Sequence, residues 1–176
     1  MKPLRVVITG SESTGKTTLA AELAEHYGTV WCPEFSRQYA LCKNNLDASD
    51  VEAIASGQIA SEDAHASRGK RVIIQDTDLV STVVYARHYY ETCPRWIADA
   101  SKTRRADLYL LMDIDVPWIP DPARDRGHMR KEMHLLFVTA LVELRSPFVV
   151  ISGNWEERRK RAVKAIDEAL KRYATK

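Results

Sequence analysis

Short, almost continuously apolar runs recur along the chain: Leu4–Thr9, Thr29–Cys32, Val72–Gln75, Leu108–Met112 and Phe148–Ile151. They are rich in β-branched residues and lack the alternation of a half-exposed strand, so they read as strands covered on both faces. Longer amphipathic stretches separate them. Thr17–His26 places Leu19 with Leu23 and Ala20 with Ala24 at i, i+4 spacing, one apolar stripe of a helix. Asp50–Arg68 is alanine-rich with Val51, Ile54 and Ile59, and Ser49 ahead of it is the expected cap. Leu79–Tyr90, Trp96–Arg105, Met129–Glu143 and Asn154–Tyr173 read as further helices. The last aligns Ala162, Val163, Ile166, Ala169 and Leu170 on a core face, and its Arg158-Arg159-Lys160-Arg161 run is expected on the solvated face. Strands alternating with helices predict an α/β fold: a five-stranded parallel sheet in a three-layer α/β/α arrangement.

One stretch fits neither pattern. Asp113–His128 holds Pro117, Pro120, Pro122 and Gly127 with four aspartates and two arginines. A loop of that length in a compact domain is a functional one, and an active-site lid over residues 115–130 is the reading adopted.

Composition narrows the partners. The 176 residues suit one domain over the whole chain, large enough to bury roughly 70% of its unfolded surface. Lys and Arg total 26 against 24 Asp and Glu, a net charge of +2 that gives no reason to expect nucleic acid or an anionic membrane as partner. At 45% hydrophobic and 28% charged residues, the chain is not a disordered one. No run of about 18 apolar residues could cross a bilayer, and Met1–Pro3 lead directly into the first strand without a secretion signal. Cys32, Cys42 and Cys93 form no Cys-x-x-Cys pair, which suits reduced thiols and a cytoplasmic location.

The strongest chemical signal is Gly10-Ser11-Glu12-Ser13-Thr14-Gly15-Lys16-Thr17, a complete G-x-x-x-x-G-K-[ST] between a predicted strand and a predicted helix. Its glycines permit backbone turns that aim successive N–H groups at phosphate, and the helix N-terminus adds partial positive charge. Gly10, Ser13, Thr14, Gly15, Lys16, Thr17 and Thr18 are therefore the expected nucleotide contacts, with Lys16 on the β- and γ-phosphates and the Thr17 hydroxyl on Mg²⁺. The chain has no Asn-Lys-x-Asp for guanine, and no Asp-Glu pair follows a strand as a remodelling ATPase would require. Small size and a charged lid point to a small-molecule kinase using ATP, with the lid keeping water out.

Ligands of such sheets bind beyond the carboxyl ends of the strands, so residues just after each strand are candidates for the acceptor side. These are Glu34 and Arg37 after the second run, and Asp76 and Asp78 after the third. One carboxylate would orient or deprotonate an acceptor hydroxyl while another, with Thr17, holds Mg²⁺. Glu34 and Asp76 are rivals for the hydroxyl, and Asp78 serves equally well as a helix cap. Arg124, Arg126 and Arg130 would place positive charge over the transferring phosphoryl group. Trp118, Trp31, Tyr39, Tyr85 and Trp96 supply aromatic faces on which a planar, and especially a cationic, ring could stack. Of the five histidines only His128 and His134, six apart, come near a ligand spacing; all five read as surface or satisfied histidines, and Cys32 reads as packing.

The phosphate loop with Val7-Ile8-Thr9 before it, Pro33-Glu34-Phe35-Ser36-Arg37, Asp76-Thr77-Asp78, and Asp115-Val116-Pro117-Trp118 with Asp121-Pro122, Arg124 and Asp125 together resemble the ribosylnicotinamide kinase domain of the NadR family. The likeness runs to Ser152-Gly153-Asn154-Trp155-Glu156-Glu157-Arg158. It implies a core like that of nucleoside monophosphate kinases and transfer of the ATP γ-phosphate to the 5′-hydroxyl of nicotinamide riboside. In that picture Lys16, Arg124 and Arg126 stabilise charge, Thr17 and Asp76 hold Mg²⁺, and Glu34 or Asp78 addresses the hydroxyl. Arg37, Tyr39, Tyr85 and Trp118 would line the substrate site. A kinase for another nucleoside or small alcohol, and a P-loop switch with a macromolecular partner, are the rival readings. Longer family members carry an adenylyltransferase domain and in some cases a DNA-binding one. The loop begins here at residue 10, and the nearest approach to a [His/Thr]-x-Gly-His element is Asp125-Arg126-Gly127-His128. The kinase alone is expected.

Overall fold

The computed structural model describes residues 3–43, 45–68, 71–117 and 129–174. The elements follow in the order β1 (Leu4–Thr9), α1 (Lys16–Tyr27), β2 (Trp31–Cys32), α2 (Phe35–Cys42), α3 (Val51–Ala66), β3 (Val72–Asp76), α4 (Leu79–Tyr90), α5 (Arg95–Thr103), β4 (Leu108–Met112), α6 (Arg130–Glu143), β5 (Phe148–Ile151) and α7 (Trp155–Ala174). All five strands are parallel, in the order β2-β3-β1-β4-β5. The expected fold class therefore holds, with β1 at the centre.

Period-2 geometry divides β1 between two layers. Leu4, Val6 and Ile8 pack with Leu19 and Leu23 of α1 and Ile166 of α7. Val7 points the other way, to Val84 of α4 and Phe137 and Leu141 of α6. A third cluster joins Val51 and Ala55 of α3 to Leu79 and Val83 of α4 and Ile97 of α5. Because both faces of β1, β3 and β4 are covered, their polar termini are driven to one edge of the sheet, where the phosphate loop begins.

Four expectations are corrected. β2 shortens to Trp31–Cys32, while Thr29 instead donates its hydroxyl to Val72 O at 2.6 Å. β5 is an edge strand, so Val149 and Val150 remain 39% exposed. Ser49 does not cap α3. Asp47 accepts from Ser49 N at 2.8 Å while Asp50 accepts from Asp47 N at 2.9 Å, a reciprocal box around the 3₁₀ turn Ala48–Asp50 that leads into the helix. Arg158 leaves the solvated face altogether and is fully buried, although Arg159, Lys160 and Arg161 are exposed. Among the described residues no helix is long and apolar enough to cross a membrane.

Candidate active site

The loop after β1 curls through left-handed backbone at Ser13 (φ 53°) and Gly15 (φ 85°), with Gly10 at φ 128°. A side chain at Gly10 would lie 3.0 Å from the Met112 carbonyl oxygen, and one at Gly15 would lie 2.8 Å from the Trp155 indole. Conformation and contact both demand glycine there. The indole is pinned over the loop by its Nε1, which donates to Glu22 Oε1 at 2.8 Å. Lys16 is 8% exposed and folds back across the loop, its Nζ donating to Gly10 O (3.0 Å) and Ser11 O (2.8 Å). Thr14 Oγ1 donates to Ser11 O at 2.9 Å, whereas Thr18 lies exposed on the first turn of α1.

Beside the loop, Thr17 Oγ1 donates to Asp76 Oδ2 at 2.5 Å. Asp76 is 1% exposed, and its Oδ1 is buried without a hydrogen-bond partner. Burial first, and then the charge of Glu34, raise its carboxyl above the ordinary aspartate range; Lys16, the Thr17 bond and Arg37 pull the other way. Glu34, Arg37 and Lys16 thus act electrostatically on one carboxylate. A buried carboxylate oxygen lacking a donor is costly, and a hydroxyl beside a carboxylate is a hard oxygen set suited to Mg²⁺. The residues present fit that ion.

Thr77, the next residue, is 4% exposed and held at φ 66°, its N–H donating to Ile8 O at 2.9 Å. A β-branched residue in the left-handed region costs on the order of 1–3 kcal/mol. Across this residue the chain leaves the edge of the sheet. Asp76 faces the phosphate loop, while Asp78 turns back into the protein. Asp78 Oδ1 accepts from Val80 N at 2.9 Å, capping α4, and Oδ2 accepts from the Tyr109 hydroxyl at 2.7 Å. With both oxygens engaged and 3% exposure, Asp78 is a structural cap. Against the expectation that it could address the acceptor hydroxyl, neither of its oxygens is turned toward the phosphate loop.

Glu34 is half-buried at the start of α2 and accepts from Ser36 Oγ at 2.9 Å; Arg37 is exposed one turn on. Tyr39 donates to Asp50 Oδ1 at 2.9 Å, so its contacts lie in the corner between α2 and α3. Tyr85, on α4, stacks on Tyr89 at 5.7 Å and lines a pocket with Glu12 of the phosphate loop and Arg130. Trp118, Arg124 and Arg126, the central residues of the expected lid, lie outside the described residues. Cys32 is buried, with its thiol pushed up to about 11 chiefly by burial, which suits packing rather than nucleophilic chemistry.

Arg158 supplies the main feature absent from the sequence reading. Its Nε donates to Gly153 O (2.9 Å), Nη1 to Thr14 O (3.1 Å), and Nη2 to Asp113 O (3.1 Å) and to the Asp115 carboxylate. One buried cation therefore joins the phosphate loop to the ends of β4 and β5. The signal was available: counting back four residues from Ala162 extends the apolar stripe of α7 onto Arg158.

A family model described as an AAA domain (AAA_28) matches residues 5–158. The chain belongs to this AAA domain family. It is 30% identical over 173 residues to the trifunctional NAD biosynthesis/regulator protein NadR of Escherichia coli K12. The same identity is found with the NadR of Salmonella typhimurium LT2. Each alignment covers 94% of this chain but 42% of the relative, so the chain spans under half the length of the curated relatives that it matches. Among solved structures it is similar to NadR in complex with NR, with a TM-score of 0.83 and 25% identity over 96% of this chain and 50% of the other. It is equally similar to NadR in complex with NAD and AMP-PNP, with a TM-score of 0.82 and the same identity and coverage. A thymidylate kinase from Ehrlichia chaffeensis shares the fold at a TM-score of 0.70 and 15% identity, over 95% of this chain and all of that one. The resemblance to NadR and the P-loop kinase-like fold both hold for this member of the AAA domain family.

Proposed function

We propose that the protein transfers the γ-phosphoryl group of ATP to the 5′-hydroxyl of nicotinamide riboside, forming nicotinamide mononucleotide and ADP. The observation that carries this reading is the Thr17–Asp76 pair beside the phosphate loop, with Glu34 close enough for its charge to act on Asp76. Similarity to NadR structures holding NR and AMP-PNP supports the choice of substrates.

In the proposed mechanism the loop N–H groups and Lys16 hold the β- and γ-phosphates, Lys16 releasing the carbonyls of Gly10 and Ser11 to do so. Thr17 and Asp76 would hold Mg²⁺, which neutralises phosphate charge when bound. Glu34 accepts the proton of the acceptor hydroxyl as its oxygen bonds to the γ-phosphorus. The bond from that phosphorus to the β–γ bridging oxygen breaks, and ADP carries the electron pair away. Arg37 holds the acceptor near Glu34. Residues 115–130 serve as the lid of a single kinase domain spanning 1–176, with Arg124 and Arg126 over the transferring group and Trp118 and Tyr85 as ring faces for the acceptor.

The deciding assay couples ADP release to ATP with nicotinamide riboside, uridine, cytidine, adenosine or no acceptor, with Lys16→Ala as control. Turnover with the nicotinamide substrate that Lys16→Ala abolishes is the expected result. Equal ADP release with and without acceptors would mean simple hydrolysis and end the kinase reading.

A further inference from the structure

The strand pairing that brings β2 to β3 stops at Cys32–Gln75, short of Glu34. Beyond that point the sheet no longer holds the chain, and α2, which starts at Phe35, buries none of its own side chains. A carboxylate that must come within hydrogen-bond reach of an acceptor hydroxyl therefore needs another support. One face of α3 supplies it on both sides of Glu34. Ahead of it, Cys32 Sγ and Ser61 Oγ are hydrogen-bonded at 3.2 Å. After it, the Phe35 N–H donates to Gln58 Oε1 at 3.1 Å, and the Phe35 ring lies against Gly57, where a Cβ would overlap it.

Gln58 is itself fixed. It is 3% exposed, and its Nε2 donates to Glu62 Oε1 at 3.3 Å, while Glu62 Oε2 accepts from Arg5 of β1 at 3.4 Å and from Arg104 at 3.3 Å. With Nε2 committed to Glu62, Oε1 is the atom turned to Phe35, so the amide has one orientation. Gly57 stands in the middle of α3, where glycine is unfavourable relative to alanine. Room for the Phe35 ring is what the missing side chain provides. At the far end of α2, Tyr39 and Lys43 both bond to Asp50, so losing the Gln58 bond frees the Glu34 end without releasing the whole helix.

We infer that Gln58 is a positioning residue, which together with Gly57 holds the start of α2 so that Glu34 is aimed at the acceptor hydroxyl. The inference rests on the riboside-kinase reading and adds what sets the place of its proton acceptor.

The test measures kcat and the KM of each substrate for wild type, Gln58→Met, Glu34→Gln and the double variant, with ATP, Mg²⁺ and nicotinamide riboside. Gln58→Met keeps the size and removes the acceptor of the Phe35 N–H. The resulting misplacement of Glu34 is expected to lower kcat about 10- to 100-fold with KM for ATP nearly constant. Because Gln58 acts through Glu34, adding Gln58→Met to Glu34→Gln is expected to cost under about twofold more, whereas a merely structural role would multiply the two losses. Gly57→Ala displaces the Phe35 ring and is expected to give the same pattern in the same cycle, which keeps the inference testable if Gln58→Met folds poorly. An unchanged kcat in Gln58→Met or in Glu34→Gln, or losses that multiply in the double variant, overturns this inference and leaves the kinase reading standing. No wild-type turnover with nicotinamide riboside overturns both.

Discussion

Replacing Arg158 by methionine keeps side-chain length and removes the charge and all of the N–H donors. The guanidinium is fully buried and serves three carbonyls and one carboxylate. Removing one member of a buried ion pair costs about 3–5 kcal/mol. Here the remaining partner, Asp115, has a side chain 36% exposed and keeps the Gly153 N–H, so water relieves part of its loss. The carbonyls of Gly153, Thr14 and Asp113 still lose their charge-assisted donor, which keeps the expected cost near 3–4 kcal/mol. For a chain of this length that corresponds to a fall in Tm of roughly 6–15 °C. Urea and thermal unfolding measure it. Because Thr14 belongs to the phosphate loop, KM for ATP measured below the new Tm should rise with KM for the acceptor less affected. Arg158→Lys, which restores charge but not the fork, should recover only part of both losses. A destabilisation under about 1 kcal/mol with unchanged KM for ATP would refute the assignment of Arg158 as the joint between loop and sheet.

Glu34→Gln should lower kcat about 10²- to 10⁴-fold with little change in ATP binding, read from steady-state kinetics and nucleotide titration; an unchanged kcat would transfer the proton-accepting role to Asp76. Glu62 on α3 is 2% exposed, between Arg5 and Arg104, and burial, with the charge of Asp78, raises its carboxyl from 4.5 to about 7. Since the folded state then holds the proton more tightly than the unfolded state, Glu62 favours folding at low pH. That contribution, on the order of 3 kcal/mol at most, is lost between about pH 4.5 and 7, so Glu62→Gln should flatten stability against pH in that window. Identical slopes in urea melts of both proteins would show that Glu62 does not titrate there. Gly15→Ala forces a side chain into left-handed backbone and against Trp155, so a cost of about 1–2 kcal/mol is expected from conformation alone. Trp155→Ala in the same chain should relieve only the remainder, and a fully neutral Gly15→Ala in equilibrium unfolding would contradict the loop geometry.

What the sequence determined by itself was local. Leu4–Thr9, Val72–Gln75 and Leu108–Met112 were legible as strands because a strand covered on both faces must be apolar at successive positions, whatever lies beside it. The phosphate loop was legible because its donors come from consecutive backbone N–H groups, so spacing along the chain is also spacing in space. The pairing of Thr17 with Asp76 could be anticipated too, since Asp76 ends β3, Thr17 follows the loop after β1, and parallel strands deliver their ends to one side of the sheet.

Tertiary structure decided what depends on partners distant in the chain. α2 went unread because none of its side chains is buried, so no apolar stripe marks it; the bond from Phe35 N to Gln58 helps seat it on α3. Asp78 caps α4 through a local bond, but what occupies its second oxygen is Tyr109, 31 residues away. Val149 and Val150 have the apolar character of a central strand, but β5 has a neighbour on one side only. Arg158 sits in a basic run that reads as surface, yet carbonyls from three separate segments surround it. Burying a cation is unfavourable unless such partners converge. That convergence belongs to the folded chain.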